Sequence, residues 1–136
     1  MDRELLKHGA ISWFELMTTD VEAAKKFYGE IFGWEYTPFA QDPSHEYHSV
    51  SKNGREFAGI MKTPKHCGDI PPCWGGYVTV DDIDVTAARV TELGGKIIVP
   101  PTEIPGIGRF SVFSDPQGAV ISAITYVSKG SPDALR

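Results

Sequence analysis

Cysteine is scarce in this chain of 136 residues, with only Cys67 and Cys73, both inside one Pro/Gly-rich stretch. A chain of this length can bury a real core without covalent staples. His66 and Cys67 with Cys73 fall short of a metal-ligand set, and their spacing matches no standard zinc pattern. Long apolar runs are also missing, and none approaches the roughly 20 residues of a membrane span. The opening residues, Met1 to His8, contain no apolar segment long enough for a signal peptide. The expectation is a cytoplasmic protein with reduced thiols and no membrane partner. An excess of basic residues is absent as well. The net charge of -5 opposes general nucleic-acid binding, which depends on neutralising phosphates. What remains is ordinary globular composition, 41% hydrophobic and 23% charged.

What is present is written twice. Asp20-Val21-Glu22-Ala23-Ala24 opens a helical stretch that runs to Gly33. Asp82-Ile83-Asp84-Val85-Thr86 opens another that runs to Gly95. Asp20 aligns with Asp82, Glu30 with Glu92, Ile31 with Leu93 and Gly33 with Gly95. Each aspartate suits an N-cap, because its carboxylate can accept from the free amides of the first turn. An extended run precedes each helix, Ile11 to Thr18 and Gly75 to Val80. Strand-like runs follow each helix. They are Trp34 to Phe39 and the pair Tyr47 to Lys52 and Arg55 to Met61 around Asn53-Gly54, a strong hairpin signal. In the second copy they are Lys96 to Val99 and the pair Arg109 to Ser114 and Ala119 to Tyr126 around Asp115-Pro116-Gln117-Gly118. Pro100 to Gly108 reads as a loop.

Self-similarity of this kind fixes architecture. It predicts a single α+β domain over residues 1–136, built of two tandem βαβββ modules. The first covers about 9–62 and the second about 74–127, with a connection at 63–73 and a loose tail at 128–136. Pairing the modules gives a curved eight-stranded sheet around a central cup, with the helices outside.

The phrases Trp13-Phe14-Glu15-Leu16-Met17-Thr18-Thr19-Asp20, Phe27-Tyr28-Gly29-Glu30-Ile31-Phe32-Gly33-Trp34, Val80-Asp81-Asp82-Ile83-Asp84 and Asp115-Pro116-Gln117-Gly118 resemble the vicinal oxygen chelate superfamily. That superfamily includes glyoxalase I, bleomycin-resistance proteins and extradiol dioxygenases. The resemblance covers about residues 9 to 127 and implies the two-module fold. It leaves the reaction open, because the superfamily spans lyases, dioxygenases and non-catalytic drug binders. Its metal enzymes carry four ligands at equivalent places. Counting back from Asp20 and Asp82 by the family's spacing lands on Trp13 and Gly75. Counting on from Gly54 and Gly118 lands on Ala58 and Ser122. These residues offer no donor set to a divalent cation. No metal and no other cofactor is therefore expected, and the metal-dependent activities of the family are placed in doubt.

Strand alternation names the residues facing the cup. If Trp13 points in, so do Glu15 and Met17, while Phe14 and Leu16 face the helix. Gly75, Tyr77 and Thr79 point in from the second module. Pairing around Asn53-Gly54 puts Ser49 opposite Ala58 and Tyr47 opposite Ile60, all on the inner face with Glu56. Pairing around the second turn puts Ser111 opposite Ser122 and Arg109 opposite Ile124. The expected ligand-binding set is thus Trp13, Tyr47, Ser49, Tyr77, Arg109, Ser111, Phe113 and Ser122. Glu15 is the candidate catalytic residue, since a carboxylate on a central strand is costly to bury unless it is paired or functional. The alternative for Glu15 is an internal ion pair with Arg109 or Arg55. The alternative for the aromatics is plain core packing. His48 falls on the outer face, His8 and His45 lie at element ends and His66 lies in the connection. None of them stands beside a nucleophile.

Three functions compete. One is a metal-free protein of the bleomycin-resistance kind that binds a small aromatic or polar metabolite. Another is a glyoxalase-type lyase or isomerase that uses Glu15 as acid or base. The third is a non-catalytic structural module. A homodimer is expected, with Trp34 and Trp74 near strand ends as candidate contacts.

Overall fold

A computed structural model describes residues 2–39, 46–65 and 70–127. Among the described residues, two α-helices and eight strands form two consecutive βαβββ modules, an α+β fold. The first module contains β1 (Ile11–Thr18), α1 (Val21–Phe32), β2 (Glu35–Pro38), β3 (Tyr47–Lys52) and β4 (Arg55–Lys62). The second contains β5 (Cys73–Thr79), α2 (Ile83–Glu92), β6 (Lys96–Ile104), β7 (Gly108–Ser114) and β8 (Val120–Tyr126). The chain divides into two compact units, Trp13–Gly75 and a second that joins the residues through Ser12 to those from Gly76 onward. The predicted tail and the residues His45, His66 and Cys67 lie outside the described residues.

The helix ends follow from the predicted caps. The Asp20 carboxylate accepts from the Ala23 amide at 3.0 Å. Asp82 accepts from Asp84 and Val85 at 3.0 and 3.2 Å. All three contacts satisfy amides that a first helical turn leaves without partners. Gly33 ends α1 in the left-handed region at φ 71. In the second module the left-handed residue after the helix is Gly94 at φ 92, not the aligned Gly95.

Within the first module the strand order is β2-β3-β4-β1, and within the second it is β5-β8-β7-β6. In both, the first strand runs parallel to the last one, β1 with β4 and β5 with β8. The first core holds Leu16, Val50, Ala58 and Ile60, covered by Val21, Ala24 and Tyr28 of α1. The second holds Val80, Ile83 and Ala123, with Phe113 packed against them.

Three expectations need correction here. The predicted loop from Pro100 to Gly108 is largely strand, because β6 continues to Ile104. Pro100 and Pro101 are tolerated there because β6 is the outermost strand of its module and its pairing with β7 is irregular between Val99 and Thr102. The β3–β4 pairing carries a bulge between Val50 and Ser51, so Val50 faces Ala58 and Ser49 faces Gly59. Ala58 and Ile60 therefore pack under α1 and not on the opposite face. The turn between β7 and β8 is one residue longer than predicted. Asp115 Oδ1 accepts from the amides of Gln117 and Ala119, and strand pairing resumes with Ser114 opposite Val120. A slip of one residue turns a whole strand over. Ser111 thus faces Ala123, and Arg109 faces Thr125.

Candidate functional site

The helix-free face of the first module carries the main cluster. Leu16 lies in the core under α1, so its neighbours Trp13, Glu15 and Met17 point to the other side of β1. Tyr47 and Ser49 of β3 share that side, because the alternate residue Val50 is in the core. Tyr47 connects the cluster. Its hydroxyl accepts from the Trp13 indole at 3.0 Å and donates to Glu15 Oε2 at 2.9 Å. Both contacts suit a phenol, which has one donor and acceptor capacity. Glu15 bonds to the Tyr47 phenol, while Arg109, one of the arginines weighed from the sequence, bonds to Asp84.

Gly59 makes this arrangement possible. It stands beside Glu15 on the neighbouring strand and opposite Ser49. A Cβ built there would overlap the hydroxyl and ring of Tyr47. The missing side chain is the space through which Tyr47 reaches Glu15. Phe39 flanks the Tyr47 ring, with centroids 5.2 Å apart. Ser49 lies on the predicted face but is buried, and its hydroxyl donates to the Thr37 carbonyl at 3.3 Å.

Two surface depressions lie in this module, and the first includes Tyr47 of the cluster. One, of about 320 Å³, is lined by Glu46, Tyr47, Met61, Lys62, Thr63, Pro64 and Lys65. The other, of about 260 Å³, lies near the start of α1 and is lined by Thr19, Asp20, Val21, Glu22, Glu46, His48 and Lys62. His48 itself is buried opposite Ile60, on the helix side as expected.

The second module departs further from the sequence reading. Tyr77 and Ser122 are paired neighbours on its helix-free face, as predicted. Phe110, which the shifted register concealed, joins them with its ring 6.3 Å from that of Tyr77. Arg109, Ser111 and Phe113 are on the opposite side, toward α2. The Arg109 guanidinium grips Asp84 of α2 with two bonds of 3.1 and 2.9 Å. That grip holds the Asp84 carboxyl below the usual carboxylate range and raises Arg109. Glu103 lies 3.8 Å from the same guanidinium. Ser111 is fully buried and donates to the Val99 carbonyl at 2.6 Å. Phe113 is part of the second core. The physical reason in all three cases is the longer turn at Asp115.

The four positions counted from the sequence carry no imidazole or carboxylate. Trp13 lies on the helix-free face, but its indole nitrogen donates to Tyr47 and has no lone pair for a cation. The bulge puts Gly59 on that face in place of Ala58, and neither residue carries a donor. Gly75 has no side chain, and Ser122 offers a lone hydroxyl. Among the described residues, no group of three His, Cys, Asp or Glu side chains could hold a metal ion. His8 lies elsewhere and accepts from the Asp81 amide at 3.0 Å. Cys73 is an exposed thiol at the start of β5. Among the described residues, no helix is long and apolar enough to cross a membrane.

Comparison with known proteins places this geometry among relatives. Residues 10–122 match the family described as the Glyoxalase/Bleomycin resistance protein/Dioxygenase superfamily. The candidate glyoxylase CFP32 of Mycobacterium tuberculosis is 36% identical over 121 residues, which is 88% of this chain and 46% of that protein. The anthracycline biosynthesis protein DnrV of Streptomyces peucetius is 33% identical, over 84% of this chain and 46% of its own length. The chain therefore spans about half the length of these curated relatives. Among solved structures, the methylmalonyl-CoA epimerase of Mycobacterium tuberculosis superposes with a TM-score of 0.63. It is 13% identical, over 95% of this chain and 94% of that one. That likeness is one of fold.

Proposed function

The chain belongs to the Glyoxalase/Bleomycin resistance protein/Dioxygenase superfamily, and from that premise we propose that it binds a small aromatic or polar metabolite without the family's divalent metal. The site is the helix-free face of the first module. The observation that carries this reading is the bonded series from Trp13 through Tyr47 to Glu15. It presents two aromatic rings and a carboxylate in a fixed arrangement, the combination of apolar wall and few polar groups that small-ligand sites use. Aromatic rings stack on planar ligands at low cost in conformational freedom. The naming of a relative for anthracycline biosynthesis is in keeping with an aromatic ligand. Tyr77, Phe110 and Ser122 offer a similar but uncharged face in the second module.

A second reading is a lyase or isomerase with Glu15 as acid or base. The phenol that holds Glu15 favours it, because a carboxylate oriented by a hydrogen bond is positioned to exchange a proton with a bound substrate. Thermal-shift screening of aromatic metabolites, with metal analysis of the purified protein and an assay for turnover, separates the readings. A shift without turnover or stoichiometric metal is the expected result. Turnover that Glu15→Gln abolishes would establish the second reading instead, and stoichiometric zinc, nickel, manganese or iron would overturn the first.

We propose the homodimer on separate grounds. Phe27, Ile31, Phe32 and Trp74 are exposed. Ring contacts through Tyr28 link Phe27, Phe32 and Trp74 into one aromatic patch. Trp34, the other expected contact, is half-buried against the first core.

A further inference from the structure

We propose that the depression beside Tyr47 is an anion subsite that takes the carboxylate or phosphate of the metabolite. The inference rests on the reading of the helix-free face as a binding face and adds the charge of the ligand. Three observations meet there. Lys62 and Lys65 line the depression, and neither is in an ion pair among the described residues. Thr63 lies between them in sequence, and its hydroxyl oxygen is buried with no hydrogen-bond partner among the described residues. The Thr63 amide donates to the Thr18 carbonyl at 2.9 Å, so this hydroxyl sits on a backbone tied to the end of β1.

A buried hydroxyl without a partner is costly, and such groups call for an explanation. Thr63 lines the depression, and an anionic oxygen that reached this hydroxyl would accept from it; charge-assisted bonds of this kind are among the stronger ones. The ammonium groups of Lys62 and Lys65 supply opposing charge at the rim. Glu46 is on the same wall and reduces the local charge, which leaves the lining with one net positive charge from these three residues. Such a lining accepts a singly charged group more readily than a highly charged one. At about 320 Å³ the space fits a small group and not a large ligand. Tyr47 lines the same depression, so an aromatic acid could lie against its ring with the acid group at Thr63.

The test uses three probes on the intact protein at constant ionic strength: 4-hydroxybenzoate, its neutral counterpart 4-hydroxybenzyl alcohol, and inorganic phosphate. Affinities are read by calorimetry for the parent, for Thr63→Val and for the double variant Lys62→Gln/Lys65→Gln. The expected result is benzoate binding at least about tenfold tighter than the alcohol. That advantage is lost in the double variant and reduced in Thr63→Val, whose thermal stability is unchanged or higher because an unpartnered hydroxyl is gone. Phosphate binding that depends on the two lysines, without binding of either aromatic probe, retains the anion subsite but defeats the aromatic reading of the face. Equal affinity for the alcohol and the acid overturns the subsite and leaves the aromatic reading standing. Anion binding that none of the variants weakens overturns it as well.

Discussion

The Tyr47 ring fills the space in which a side chain at Gly59 would stand. The two residues sit on adjacent strands, and their relation decides whether Glu15 has its phenolic partner. Gly59→Ala should therefore displace Tyr47 and break the bonds to both Trp13 and Glu15. Overpacking of this kind costs about 1–3 kcal/mol. Urea unfolding should show that loss, and near-ultraviolet dichroism should show a changed Trp13 environment. An alanine variant as stable as the parent, with an unchanged spectrum, would refute this role for Gly59.

Glu15→Gln should leave the fold nearly intact. Glutamine keeps the acceptor that Tyr47 uses, and Arg109, one of the two arginines considered as a partner for Glu15, is held by Asp84. The expected stability change is under about 1 kcal/mol, while binding or turnover falls. Arg109→Ala should leave ligand binding untouched, because Arg109 faces α2. A loss of binding in Arg109→Ala with the fold intact would contradict the register described for β7.

Metal chelation should not alter the melting temperature. A ligand that binds the native state alone stabilises it by mass action, and Trp13, Ala58, Gly75 and Ser122 give a divalent ion no imidazole or carboxylate to bind. Scanning calorimetry with and without chelator is the measurement, and a large drop with chelator would count against it.

Alkaline stability should depend on two tyrosines. Burial raises the pKa of Tyr126, partly opposed by its bond with Ser12, and burial also raises Tyr36. In the unfolded chain both titrate near about 10. Above that pH the unfolded chain releases protons that the folded chain retains, so stability falls as pH rises toward the folded values. Tyr36→Phe should flatten part of that fall. At neutral pH it should be neutral or stabilising, because the Tyr36 hydroxyl is buried without a partner among the described residues. Denaturant midpoints at pH 7 and pH 11 for parent and variant decide the matter.

Sedimentation at micromolar concentration should show a species about twice the 14.9 kDa of the chain. A charge placed in the aromatic patch, Phe32→Glu, should shift it to the monomer. A parent that sediments only as the monomer would dispose of the homodimer.

The sequence by itself determined what depends on neighbours along the chain. Asp20 and Asp82 announced both helix starts, Asn53-Gly54 announced the first hairpin, and the repeat announced the two-module plan. The β1 face was legible too, because the family spacing sets Trp13 inward and strict alternation carries Glu15 with it. Tyr77 followed from Gly75 by the same alternation, and Ser122 came from the count past Gly118 although its expected partner Ser111 is on the other face. What only the tertiary structure decided is register across strands. The bulge at Val50/Ser51 and the longer turn at Asp115 each shift pairing by one residue. They depend on which carbonyl or carboxylate captures a particular amide, and local composition does not encode that choice. Alternation converts so small a shift into a change of face. That is why Arg109, Ser111 and Phe113 were assigned to the wrong side. Gly59, which carries no functional group and drew no notice in the sequence, is the residue that lets Tyr47 reach Glu15.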